Sequence, residues 1–202
     1  MPIGICGGTF DPIHKGHLTI AGAALAQLGL SRVLFIPNGN PPHKKGAVAA
    51  SASDRMEMVR LAVADNPYFF ADDREMRPGT VYAVDTLSQL REENPCAVYY
   101  YIVGGDTLPE LITWRRFETL CTLCRFAVYP REGFDAGMIR AEAQRLHDRF
   151  GLAYELLKGP LVDLISTEIR ERAAIGISLK YLVPDSVCGY IEERGLYAGK
   201  SA

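Results

Sequence analysis

Along the chain, short runs of apolar residues alternate with stretches whose apolar positions recur every three or four residues. Residues 2–6, Pro-Ile-Gly-Ile-Cys, read as a strand. Residues 16–29 read as a helix that ends near Gly29, and Arg32 to Ile36 reads as a second strand. A helix with Asp54 as its N-cap is expected to run through Asn66 and stop before Pro67. Strand-like Tyr68 to Ala71 leads into a charged run, Asp72 to Arg77, in which Asp72 and Arg74 are expected to be solvated. A helix follows from about Tyr82 to Glu93. Ala97-Val-Tyr-Tyr-Tyr-Ile-Val103 is the strongest strand signal, bounded by Pro95 and by Gly104-Gly105, as a fully buried central strand would be.

The pattern continues with a helix over 107–122, a strand from Arg125 to Tyr129, a helix over 135–149 and a strand over 152–157. Helices over 167–174 and 184–194 close the chain, the last stopped by Gly195. Buried strands alternating with helices define an α/β fold: a doubly wound parallel sheet with helices on both faces. The chain, residues 1–202, is expected to be a single domain, with a small helical C-terminal part over about 160–202. In such sheets ligands bind beyond the carboxyl ends of the strands, where strand order reverses. Three loops rich in polar residues sit there: Gly7 to His17, Pro37 to Lys45, and Gly104-Gly105-Asp106. The irregular piece over 37–53 is long enough to suggest function.

Composition narrows the choices. Net charge is −2 and the pI is near 6.1, so there is no basic field for nucleic acid. No apolar run reaches the roughly 18 residues of a membrane span, and the N-terminus lacks a signal-peptide pattern. A cytoplasmic protein is expected, with no nucleic-acid or membrane partner. A homo-oligomer is compatible with the sequence. Five cysteines include a CxxC, Cys121 to Cys124, but it stands alone in an apolar segment and reads as buried thiols rather than a metal or redox site.

The chemistry concentrates in Gly7-Gly-Thr-Phe-Asp-Pro-Ile-His-Lys-Gly-His17, between the first strand and the first helix. Paired glycines let backbone amides approach a ligand, and a helix N-terminus attracts anions. The stretch is neither GxGxxG nor GxxxxGK[ST]. His14 and His17, three apart at a helix start, can face one point and donate hydrogen bonds to phosphate oxygens. A metal held by His14, His17 and Asp11 is the weaker reading, so the metal assignment is none. Ser166-Thr-Glu-Ile-Arg170 opens another helix, where hydroxyls, free amides and a guanidinium converge on an anion or simply cap the helix. Pro41-Pro-His-Lys-Lys45 makes a stiffened basic loop. Trp114 is a core residue or an aromatic face for a flat ring.

At these residues the sequence resembles the HxGH nucleotidylyltransferases. The blocks IPNGNPPHK, YAVDTL, IVGGDTLPELITW, STEIR and YLVPDSVCGYIEERGLY follow in the order seen in bacterial nicotinate-nucleotide adenylyltransferases, so the resemblance runs from Ile3 to Tyr197. It implies a Rossmann-like fold and transfer of the adenylyl group of ATP to nicotinate mononucleotide, giving deamido-NAD and pyrophosphate in NAD biosynthesis, with Mg²⁺ carried on the ATP phosphates. It implies catalytic roles for His14 and His17. It implies ATP contacts from Gly7, Gly8, Thr9, Phe10, His14, His17, Gly104, Asp106, Ser166, Thr167 and Arg170. Asn38, Asn40, His43, Lys44, Thr86, Asp106 and Trp114 would form the mononucleotide side. The chain departs from the family pattern at Ile165, where a serine is usual, and at Ala83, where a threonine is usual near the pyridine pocket. Sister activities toward nicotinamide mononucleotide or phosphopantetheine stay open. His14 and the PPHK loop argue against the latter. A non-catalytic nucleotide-binding module is disfavoured by the intact histidines and STEIR block.

Overall fold

The structure is a computed structural model that describes residues 1–41 and 48–199. Six parallel strands form one sheet: β1 Pro2–Gly8, β2 Arg32–Pro37, β3 Phe69–Ala71, β4 Val98–Gly104, β5 Arg125–Tyr129 and β6 Tyr154–Leu156. Their order is β3-β2-β1-β4-β5-β6, every neighbour pair parallel. The chain winds outward from β1 to β3, then returns to the other side of β1 at β4. The switch point therefore lies between β1 and β4, and Gly7-Gly8 and Gly104 sit at its carboxyl end. This is the doubly wound, Rossmann-like arrangement that the alternating pattern implies.

Strand alternation divides the core. Ile3, Ile5, Leu34, Ile36, Tyr99, Tyr101, Val103, Phe126 and Val128 pack on one face beneath α3 (Ala83–Glu93), α4 (Phe117–Leu123) and α5 (Ala136–Phe150). Val33, Phe35, Ile102, Ala127 and Tyr129 pack on the other against α1 (Lys15–Gln27), α2 (Ala52–Val63), α6 (Ser166–Ala174) and α7 (Asp185–Glu193). Each fully buried aliphatic or aromatic side chain contributes about 1.5–3 kcal/mol, and the two-sided burial explains why β4 is apolar almost throughout. Helix ends follow local chemistry. Asp135 accepts the backbone N–H of Met138 at 2.9 Å to cap α5, and Gly151 at φ 70° closes it.

Three expectations are corrected. The N-cap of α2 is Ser51, whose Oγ accepts the Asp54 N–H at 3.1 Å. Asp54 instead lies one turn inside, where its carboxylate accepts the Tyr190 hydroxyl at 2.9 Å and so ties α2 to α7. The single helix over 107–122 is two pieces. A 3-10 helix, Gly105–Thr113, contains Pro109, which has no N–H for an α-helical bond. Arg116 then takes a left-handed φ of 54° before α4 starts. Asp72 and Arg74 are not solvated: their side chains are about 85% covered and paired at 2.8 Å, with Glu93 completing the cluster at 3.2 Å.

Among the described residues, no helix is long and apolar enough to cross a membrane. The CxxC thiols are free and buried, and burial pushes Cys121 up to about 11 and Cys124 further. That makes them poor nucleophiles and suits the packing role.

Candidate active site

The turn after β1 is built around close backbone approach. A side chain at Gly7 would collide with the Tyr101 hydroxyl from neighbouring β4. Phe10 adopts φ 51°, a conformation costly for a residue with a bulky side chain. Its buried ring packs edge-on against His17, centroids 5.0 Å apart, and tilted against Phe35 at 6.2 Å. The strained turn thus supports an imidazole from behind. The Asp11–Pro12 bond is cis.

His14 is the N-cap of α1 and His17 lies in its first turn. Their rings stack at 3.7 Å with 26° between planes. The backbone N–H of His14 donates to His17 Nδ1 at 3.2 Å. That bond makes Nδ1 the acceptor and leaves the proton of neutral His17 on Nε2. His14 is only 3% exposed, and its Nδ1 is buried with no hydrogen-bond partner among the described residues. Burial first, and the positive Arg131 second, push His14 down to about 4. At neutral pH it is therefore an uncharged imidazole that acts through hydrogen bonding.

Two cavities flank this turn. One, of about 230 Å³, is lined by Gly7, Gly8, Thr9, Asn38, Glu75, Tyr82, Ala83, Trp114 and Arg115. The other, of about 200 Å³, is lined by His17, Gly104, Asp106, Thr107, Trp114 and Arg131. Gly7, Tyr101 and Trp114 border both. Trp114 packs edge-on against Tyr101 at 5.5 Å, so it forms a wall between cavities rather than part of the deep core.

The STEIR segment is drawn onto the histidine turn from 154 residues away. Ser166 Oγ donates to Pro12 O at 3.0 Å. Arg170 donates to Asp11 O at 2.8 Å and to Thr167 Oγ1 at 3.2 Å. Asp11 anchors further segments: it accepts the backbone N–H groups of Ala49 and Ala50 at 2.7 and 3.1 Å and the Tyr197 hydroxyl at 2.8 Å. The carboxylate thereby organises the site instead of offering free lone pairs to a metal. Beside it, Arg55 is 1% exposed and donates to the carbonyls of Thr9, Asn38 and Gly39 at 2.6, 2.7 and 3.0 Å. It binds the loops after β1 and β2 to one fixed spacing.

Glycines 7, 8 and 104, Thr9, His14, His17, Asp106, Ser166, Thr167 and Arg170 all gather at the carboxyl end of the sheet. Phe10 contributes a buried ring behind His17. Asn38 and Trp114 line the first cavity, whereas Asn40 is exposed and Thr86 is buried beneath the wall, its hydroxyl donating to Glu75 at 2.6 Å. His43 and Lys44 lie outside the described residues. Sequence reasoning passed over Arg55, Arg131 and Tyr197, and met Glu75 only as part of the charged run from Asp72. Arg131 was within reach, because it follows β5 as Gly104 follows β4. Arg55 gave no signal, sitting among Met56, Met58 and Val59 on an ordinary amphipathic helix.

Fold and turn together define a Rossmann-like α/β protein with paired histidines at the switch point of its sheet. Residues 5–172 match the sequence profile of the cytidylyltransferase-like family. A protein of Desulfitobacterium hafniense, named a probable nicotinate-nucleotide adenylyltransferase, is 43% identical over 196 residues, covering 96% of this chain and 95% of its own. One of Symbiobacterium thermophilum with the same name is also 43% identical, covering 96% and 94%. The solved structure of Plasmodium falciparum nicotinic acid mononucleotide adenylyltransferase complexed with NaAD superposes with a TM-score of 0.80 over 97% of each chain, at 20% identity, and shows the shared fold. The chain belongs to the cytidylyltransferase-like family, in its nicotinate-nucleotide adenylyltransferase branch.

Proposed function

We propose that the chain transfers the adenylyl group of ATP to nicotinate mononucleotide, yielding deamido-NAD and pyrophosphate, and that residues 1–202 act as one catalytic unit. The observation that carries this is the stacked His14–His17 pair set between two cavities, with the STEIR helix drawn against it. A phosphate oxygen of the mononucleotide attacks the α-phosphorus of ATP, a new P–O bond forms, and the α–β anhydride bond breaks to release pyrophosphate. The nucleophile is already anionic, so no strong base is required. What the protein must supply is alignment and charge stabilisation.

ATP is assigned to the cavity lined by His17, Gly104, Asp106 and Arg131, next to Thr167 and Arg170. The mononucleotide is assigned to the cavity of Asn38, Glu75 and Trp114. His17 Nε2–H and the arginines donate to the triphosphate as charge builds on the leaving pyrophosphate. Trp114 offers its face to the pyridine ring. The side chains lining the ATP cavity include the His17 imidazole, the Arg131 guanidinium and the Thr107 hydroxyl, with Asp106 the one carboxylate among the described lining residues. This set suits phosphate oxygens, and Mg²⁺ would be carried on the ATP phosphates. Bound there, it neutralises triphosphate charge. The assigned setting is the cytoplasm, where ATP is available.

The test is pyrophosphate release by the purified protein with Mg-ATP and, separately, nicotinate mononucleotide, nicotinamide mononucleotide or phosphopantetheine. Release with the first alone is expected. Preference for another acceptor moves the chain to a sister activity, and no release with any of them overturns the catalytic reading.

A further inference from the structure

The first cavity contains a hydrogen-bond arrangement that specifies more than its shape. Asn38 Nδ2 donates to Glu75 Oε2 at 2.9 Å and to the Val81 carbonyl at 3.1 Å. Thr86 Oγ1 donates to the other carboxylate oxygen, Glu75 Oε1, at 2.6 Å. The backbone carbonyl of Glu75 also accepts the Gly39 N–H at 3.2 Å. Turning the Asn38 amide over would set its oxygen against two acceptors, so the carboxylate and Val81 O fix its orientation. The consequence is that Asn38 Oδ1, on a residue that lines the cavity, is a buried acceptor with no partner among the described residues. A buried acceptor left unmade is costly, and a ligand donor would remove that cost.

We infer that Glu75 is a positioning residue that holds Asn38 Oδ1 ready to accept a ribose hydroxyl of the mononucleotide. This rests on the assignment of the mononucleotide to this cavity. Nicotinate offers no donor from its ionised carboxylate, whereas its ribose offers two hydroxyls. The same wall offers the acid end no donor, because Asn38 Nδ2 is already engaged by Glu75 and Val81 and its Oδ1 only accepts. The ribose therefore lies along Asn38 and the pyridine ring toward Trp114 and Arg115, which line the same cavity.

The experiment measures KM and kcat with Asn38→Ala, Glu75→Gln and the double variant, using nicotinate mononucleotide and its 2′-deoxy and 3′-deoxy analogues. Glutamine keeps the shape but has one carbonyl oxygen for two donors. Each single variant is expected to raise KM for the mononucleotide roughly tenfold, the loss of one hydrogen bond to a buried group. KM for ATP and kcat should stay within about twofold. Because Glu75 acts through Asn38, the double variant should also lose about tenfold rather than a hundredfold. One deoxy analogue should cost the wild type the same factor, and the variants should then lose nothing further. Melting temperatures check that each variant is folded. Were Glu75→Gln to unfold, the Asn38→Ala and analogue arms decide the ribose contact alone. An unchanged KM in Glu75→Gln, additive losses in the double variant, or variant losses undiminished with both analogues would overturn the inference. A wild type inactive toward nicotinate mononucleotide is a different result and strikes the proposed reaction instead.

Discussion

Replacing Arg55 with methionine separates a structural charge from a packing residue. Methionine keeps most of the apolar stem but deletes three donated hydrogen bonds, at 2.6, 2.7 and 3.0 Å. Substituting a buried ion pair with apolar groups is often harmless when both partners go. Here the partners are backbone carbonyls of Thr9, Asn38 and Gly39, which stay behind. Each acceptor stranded out of water costs about 1–3 kcal/mol. Gly39 and Asn38 sit near the surface and can recover some solvation, so a net loss of about 4 kcal/mol is expected. In a chain of this length each kcal/mol is worth about 2–4 °C, which places the fall in Tm at about 8–16 °C. Differential scanning calorimetry reads it directly. Both KM values should rise as well, since the loops that Arg55 ties border the two cavities. A fall in Tm below about 3 °C with unchanged KM values would show that Arg55 does not hold these loops, and the reasoning would fail.

Further outcomes follow from the site. His17→Ala should lower kcat by a factor on the order of 10² to 10³, as loss of a charge-stabilising donor does; a fully active variant would remove the catalytic assignment. Trp114→Ala should raise KM for the mononucleotide more than KM for ATP, measured by initial rates, and the reverse would place its ring on the ATP side. Stability should respond to pH through two opposed groups. Burial holds His14 at about 4 against 6.5 when free, so the unfolded chain takes up a proton that the folded chain refuses, and stability falls as pH drops from 6.5 to 4. Burial holds Glu75 at about 7 against 4.5, so the folded chain keeps a proton that the unfolded chain has released, and stability falls as pH rises from 4.5 to 7. Over the shared window the slopes oppose each other. Glu75→Gln should leave the His14 slope alone, a loss of about 3 kcal/mol by pH 4 in urea melts, and His14→Gln should leave the Glu75 slope. A variant profile parallel to the wild type would contradict the burial of that group.

Periodicity was enough to read the sheet because its central strands β1, β2, β4 and β5 are buried over most of their length on both faces. The strand Val98–Gly104 and the helix Ala83–Glu93 fall within a residue of their expected ends. Failures occur where one residue has two uses. Asp54 has the chemistry of an N-cap, yet Ser51 can reach the same amide, which frees the acid for Tyr190. The 107–122 segment is helical in period throughout, but Pro109 and the left-handed Arg116 break it, and Trp114 lies between the two pieces. Most of the expected contact residues come together at the carboxyl end of the sheet, because they are polar groups in loops that follow strands or open helices. The residues that hold them were not legible. Arg55 and Glu75 act by reaching across the sequence to carbonyls and amides whose proximity exists only after folding.

The Asp11–Tyr197 hydrogen bond joins residues 186 apart. During synthesis the glycine turn and both histidines leave the ribosome early, while the hydroxyl that Asp11 accepts emerges 186 residues later. Until then Arg170 and the 49–50 backbone share an incompletely satisfied carboxylate. A chain lacking Tyr197 thus carries both histidines without this brace on their turn, which ties the alignment of the turn to folding of a segment far along the polypeptide.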